Sequence, residues 1–230
     1  MKTIDPESLT LAIQKTLEAP TYSDKYPKLP EGLKGMDPQT LAKNLRLAYR
    51  GLVEKREMEF KDVPEADLRQ ILSDVVGWLR RPKFRSTLFL QGTVGSGKTT
   101  VLEAVRTLYS SIGISTVSCA ALDIYDQFQG QCDGVPNSYF RYKEAGYLFI
   151  DDLGTEPLKF TFFGKERTPV QDLLAFRYKR QLTTIITTNL TNSQIWERYG
   201  ERVDDRFSEM CSIIKFSGPS YRKLIGKPAE

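Results

Sequence analysis

The sequence predicts an α/β protein, a parallel sheet with helices on both faces and a nucleotide at the carboxyl ends of its strands. Three observations carry this. Residues 92–99 read Gly92-Thr93-Val94-Gly95-Ser96-Gly97-Lys98-Thr99, a complete phosphate-binding loop G-x-x-x-x-G-K-[ST]. The apolar run Thr87–Gln91 precedes it, and Thr100–Leu108 follows with apolar residues at helical spacing, so strand, glycine loop and helix come in the required order. From Arg81 onward, β-rich runs alternate with helical stretches.

The elements follow in order. Asp5-Pro6 reads as an N-cap with proline at the first helical position, and Leu9, Ile13 and Leu17 mark one face. Residues 20–36 carry Pro20, Pro27, Pro30, Gly32 and Gly35 and read as a loop or linker. Asp37-Pro38 repeats the start signal. A long helix is expected there, with Leu41, Leu45, Ala48 and Leu52 on one stripe and a charged end near Glu57–Lys61. A further helix spans about Glu65 to Arg80. The strands are Thr87–Gln91, Thr116–Ala120, Gly146–Ile150, Thr183–Thr188 and Cys211–Phe216. The expected division is a helical N-terminal region, 1–61, and a nucleotide-binding domain, 62–230.

Composition narrows the class. The 230 residues are 40% apolar and 27% charged, enough for a core and unlike a disordered chain. No apolar run approaches the roughly 20 residues that span a bilayer, and the N-terminus lacks a signal-type apolar segment. The expectation is a cytoplasmic protein with no membrane partner. Three scattered cysteines and no histidine exclude a disulfide framework and a Cys/His zinc site. Any acid–base step then falls to carboxylates, lysines, cysteines or tyrosines. The net charge is +4, and from Pro157 to Glu230 there are 13 Lys/Arg against 8 Asp/Glu. This permits nucleic-acid binding and equally suits a plain solvated surface.

The loop's chemistry follows from its residue types. Its glycines let successive backbone N–H groups converge on phosphate oxygens, and a helix starting there aims its dipole at the same anion. Lys98 reaches the β- and γ-phosphates, and the Thr99 hydroxyl suits Mg²⁺. Thr100, the next residue, completes the phosphate-binding set. The third strand runs into Asp151-Asp152. Asp151 is placed to hold Mg²⁺ and Asp152 to orient or deprotonate the attacking water. Asn189, after the fourth strand, stands either beside the γ-phosphate or in an ordinary strand-to-helix turn. Arg202 and Arg206 are four residues apart and share a helix face. Two readings stand for them: guanidinium groups reaching a neighbour's γ-phosphate, or a solvated face paired with Glu201, Asp205 or Glu209. The aromatic and basic stretch Leu158–Arg167 likewise reads as a base-stacking surface or as a core anchor under a loop.

In this order the pieces resemble an AAA+ ATPase of the DnaC/IstB family over roughly Asp62 to Lys223. The most specific segments are Ile150–Glu156, Phe176-Arg177-Tyr178, Thr187-Thr188-Asn189-Leu190, Tyr199–Arg206 and Ser217–Arg222. The resemblance implies an AAA+ core with strand order 5-1-4-3-2, extra helices after the second strand (Leu122–Phe128 and Ser138–Glu144), and no C-terminal lid. It implies Walker B acids at Asp151 and Asp152, a sensor at Asn189, and a trans-acting arginine finger at Arg206 with Arg202 nearby. Arg222 would face the nucleotide or a neighbour. The implied activity is ATP hydrolysis with ATP and Mg²⁺ at subunit interfaces. The implied role is a DnaC-like loader of a hexameric replicative helicase onto single-stranded DNA, self-associating with ATP. Residues 1–61 match no motif. Two other readings stay open: an IstB-like transposition helper binding duplex DNA and a transposase, and a nucleotide-switched adaptor that touches no nucleic acid.

Overall fold

Side chains alternate across a strand, and here the alternation sorts them into two separate cores. In the computed structural model, which describes residues 33, 36–56, 65–80, 86–132, 139–200 and 211–218, Leu88 and Leu90 of β1 (Thr87–Gly92) face one layer while Phe89 faces the other. β3 (Tyr147–Leu153) divides the same way, Tyr147 and Phe149 against Leu148 and Ile150. β6 (Thr183–Thr188) divides into Ile185 and Ile186. With β2 (Val117–Ala120) and β7 (Cys211–Phe216) these form a five-stranded sheet, all pairs parallel, in the order β7-β1-β6-β3-β2. Numbered by chain order among the five, this is the expected 5-1-4-3-2.

One layer is built by α1 (Pro38–Glu54), α2 (Glu65–Arg80) and α3 (Lys98–Ser111). The other is built by α4 (Ala121–Cys132), α5 (Tyr139–Glu144), α6 (Pro169–Lys179) and α7 (Asn192–Tyr199). α4 and α5 are the extra helices expected after the second strand. β4 (Phe160–Phe162) and β5 (Lys165–Arg167) form a separate antiparallel hairpin within the stretch read as a base-stacking surface or a core anchor under a loop. No helix among the described residues is long and apolar enough to cross a membrane.

The helix starts have local causes. Asp37 caps α1, its carboxylate accepting from Gln39 N at 3.0 Å and Thr40 N at 2.9 Å, with Pro38 behind it. A hydrogen bond with the Thr40 side chain, together with those backbone bonds, holds the Asp37 pKa below the usual carboxylate range. α1 ends at Glu54, three or more residues before the expected charged end, because the Lys55 N–H closes on Gly51 O and the Arg56 N–H on Val53 O. Thr191 and Gln194 form a capping box on α7.

α1 lies on the N-terminal side of residue 61, yet Leu41, Leu45, Tyr49 and Val53 pack in one apolar cluster with Leu102, Val105 and Tyr109 of α3. Leu33, inside the stretch read as a linker, is fully buried in the same cluster. Its apolar side chain gains more from that core than a flanking glycine costs in order. The helix expected after Asp5 lies outside the described residues.

The buried cation Arg177 joins four segments. It is 0% exposed and donates to the carbonyls of Tyr142, Lys143, Ala145 and Thr183 and to Thr184 Oγ1, at 2.7–3.2 Å. The start of β6 and the turn leading into β3 are thereby fixed to α6. The Phe176-Arg177-Tyr178 segment thus does structural work in this fold. Arg177→Met should lower stability by about 3 kcal/mol or more, since several buried carbonyls lose their donor at once. Urea titration followed by circular dichroism checks this; an unchanged midpoint would exclude the role.

Candidate nucleotide site

The glycine loop leaves the end of β1 and turns through Gly95 and Gly97, whose φ angles of 83° and 93° are left-handed and suit glycine. Gly92 is glycine for another reason: a Cβ there would lie 2.5 Å from the Phe216 carbonyl oxygen on β7. Ser96 Oγ donates to Thr93 O at 2.8 Å and tightens the loop. Val94 at its crest is 61% exposed.

Three consecutive residues at the start of α3 reach three different elements. Lys98 is 5% exposed, and its Nζ donates to Gly92 O at 2.9 Å, Thr93 O at 2.7 Å and Asn189 Oδ1 at 2.8 Å. Thr99 Oγ1 donates to Asp151 Oδ1 at 3.0 Å. Thr100 Oγ1 accepts from Arg56 Nη1, just past α1, at 3.3 Å. A buried ammonium is thus held by neutral oxygens that an anionic phosphate would outcompete. Thr99 and Asp151 put a hydroxyl and a carboxylate side by side, the hard oxygen pair that suits Mg²⁺ together with phosphate oxygens. The residues present therefore fit a magnesium nucleotide.

The acids sit in β3 itself, in a bulge. Ile150 pairs with Ile186 and Leu153 with Thr188, so Asp151 and Asp152 together oppose the single residue Thr187. The Thr187 hydroxyl donates to Asp151 Oδ1 at 2.5 Å and accepts the Asp152 N–H at 2.8 Å. One side chain thereby sets both acids. Asp152 takes a left-handed φ of 54°, costly for a non-glycine residue and tolerated best by Asp and Asn.

Past the bulge the chain is clamped. The buried Glu156 carboxylate accepts from Gly154 N at 2.8 Å and from the Tyr199 hydroxyl at 2.5 Å, with Arg198 Nη2 at 3.8 Å. Burial, with Glu156 adding to it, pushes the Tyr199 phenol pKa far up, so it stays a donor. Gly154 is required there: its φ is 106°, and a Cβ would meet Leu190 Cδ1 at 2.6 Å. Gln91 ties the end of β1 to the turn after β6, donating to Leu190 O at 2.8 Å and Asn192 Oδ1 at 2.9 Å.

The structure therefore brings Gly92–Thr100, Asp151, Asp152 and Asn189 to one end of the sheet. Arg202, Arg206 and Arg222 lie outside the described residues. Thr187, Gln91, Glu156 and Arg56 join the site's surroundings without a spacing signal of their own. Only the buried threonines of β6, polar groups needing partners, hint at Thr187. Thr187→Val should leave nucleotide affinity within about twofold and slow hydrolysis about tenfold or more, since it removes a bond that orients both acids. Fluorescent-nucleotide binding beside steady-state phosphate release checks it; equal losses in both would show a disordered site instead.

No family model and no curated protein sequence matches this chain. Solved structures do. A DnaC helicase loader superposes with a TM-score of 0.52 at 22% identity, over 68% of this chain and 91% of that one. A Streptococcus pyogenes serotype M3 protein provisionally called a primosome component gives a TM-score of 0.53 at 21% identity, over 70% and 85%. A DNA replication initiation factor gives a TM-score of 0.48 at 16% identity, and this chain spans 46% of its length. Sheet order, phosphate loop and the superpositions on the DnaC loader and the Streptococcus protein agree: the chain has the parallel α/β P-loop fold seen in the DnaC helicase loader.

Proposed function

We propose that this chain is an ATPase of DNA replication that loads a hexameric replicative helicase onto single-stranded DNA. The observation that carries this is the joining of Lys98 to Asn189 and of Asp151 to both Thr99 and Thr187, within a fold shared with a DnaC loader.

The backbone of Gly92–Thr100 binds the phosphates, and Lys98 exchanges its carbonyl partners for phosphate oxygens. Thr99 and Asp151 hold Mg²⁺, which when bound neutralises charge on the β- and γ-phosphates. Asp152 orients the attacking water or takes its proton, and Asn189 positions it against the γ-phosphate. Arg206 of a neighbouring subunit, with Arg202 near it, meets the charge that develops in the transition state. ATP then favours the assembled form and hydrolysis loosens it. Residues 1–61 grip the helicase, and α1, the part of them packed on α3, carries the nucleotide state into that region. Arg198 and Tyr199 tie the Walker B turn to the end of α7, which leads into the segment bearing Arg202 and Arg206.

Asp152→Asn should bind ATP and fail to turn it over, so capture with this variant in ATP should recover a hexameric helicase and single-stranded DNA. Recovery of a transposase with duplex DNA would replace this reading by that of a transposition helper. Recovery of a protein without nucleic acid would make the chain a nucleotide-switched adaptor. Arg206→Ala should keep ATP affinity and lose about a thousandfold in turnover. Full turnover that still depends on protein concentration would remove Arg206 from the site.

A further inference from the structure

We propose that the β4–β5 hairpin is a contact for single-stranded nucleic acid, with Phe163 stacking on an unpaired base and Lys165 and Arg167 meeting the flanking phosphates. It rests on the reading above that the protein engages a single strand, and it names the surface that does so.

The hairpin has a rigid foot. Phe160 packs edge-on against Tyr125 and Phe128 of α4, with ring centroids 6.0 and 6.1 Å apart. Lys159 pairs with Glu166 at 2.8 Å across the strands. From that foot the chain runs out to a two-residue tip, Phe163-Gly164, between the paired residues Phe162 and Lys165. Both tip residues have positive φ, 47° and 71°, the signature of a type I′ turn. Asn-Gly and Asp-Gly are the low-energy choices for that turn, and a bulky ring in left-handed backbone is a costly one. The ring is nevertheless 89% exposed, so burial does not offset that cost. An aromatic side chain held outward at a strained tip is a feature that points to a ligand.

The surroundings choose the ligand. Along the hairpin, Thr161, Gly164, Lys165, Glu166 and Arg167 are all exposed, and none of these five is a large apolar residue. A protein partner would call for a wider apolar patch. Glu166 pairs with Lys159, while Lys165 directly follows the tip and Arg167, opposite Phe160, lies two residues further along the same face of β5. Arg167 also lies within electrostatic reach of Asp172, so Lys165 is the stronger phosphate ligand. A ring flanked by cations suits a base with its two phosphates, and in a duplex both faces of the base are already stacked. The hairpin begins only a few residues beyond Asp152 and the Glu156 clamp, so strand binding at its tip acts on the segment that carries the acids.

The test uses full-length protein with ATP, a fluorescent 20-nucleotide oligo-dT, and a duplex of the same length. Phe163→Asn places Asn-Gly in the turn, so its unfolding temperature should hold or rise while single-strand affinity falls about tenfold and duplex affinity changes little. Lys165→Ala with Arg167→Ala should weaken single-strand binding and flatten its salt dependence by one to two phosphate contacts. Wild-type binding to oligo-dT matched by Phe163→Asn would overturn this inference and leave the loader reading standing. A loss that tracks a lower unfolding temperature would also overturn it, by making the ring structural. No wild-type affinity for any single strand would overturn both.

Discussion

The register of β6 is the constraint on which the site depends. This strand lies between β1 and β3 and is buried along its whole length, so neither face can be surrendered to water by a slip. A shift of one residue would exchange Ile185 with Ile186 between the two cores. It would also carry Thr187 away from the acids and Asn189 away from Lys98. Arg177 pins the beginning of the strand and Gln91 pins the turn after its end, so packing and polar bonds specify the same alignment.

The threonines of β6 explain how so polar a strand is buried. Their β-branched shape suits the sheet, and the hydroxyls of three of them hold named partners. Thr184 accepts from Arg177, Thr187 holds Asp151 and Asp152, and Thr188 donates to Leu153 O while accepting from Leu190 N. A strand of six valines and isoleucines would pack as well and would leave both acids unplaced. The bulge in β3 is the complementary feature: two residues against one turn a regular strand end into a pair of aimed carboxylates.

Two structural links run outward from this end of the sheet. One passes from Thr100 to Arg56 and along α1, whose apolar face is shared with α3. The other passes from the bulge through Glu156 to Tyr199 and Arg198 at the end of α7. Each joins the glycine loop or the turn after the bulge to a different part of the chain through buried or half-buried bonds, where screening is weak.

What the sequence determined by itself was local or periodic. Strand–loop–helix order around Lys98, apolar alternation in the five strands, and Asp37-Pro38 at a helix start all arise from neighbours a few residues apart, and each was legible. The positions of Asp151, Asp152 and Asn189 followed because they end strands that such patterns locate. Tertiary structure alone decided the rest. Thr187 opposing two acids, Arg177 buried among four carbonyls, Glu156 reaching Tyr199 and Arg56 reaching Thr100 join residues apart in the chain, from 6 positions for Arg177 and Thr183 to 44 for Arg56 and Thr100. The short turn at Phe163-Gly164 escaped for a different reason: a phenylalanine in left-handed backbone runs against its own preference, so its type gives no turn signal.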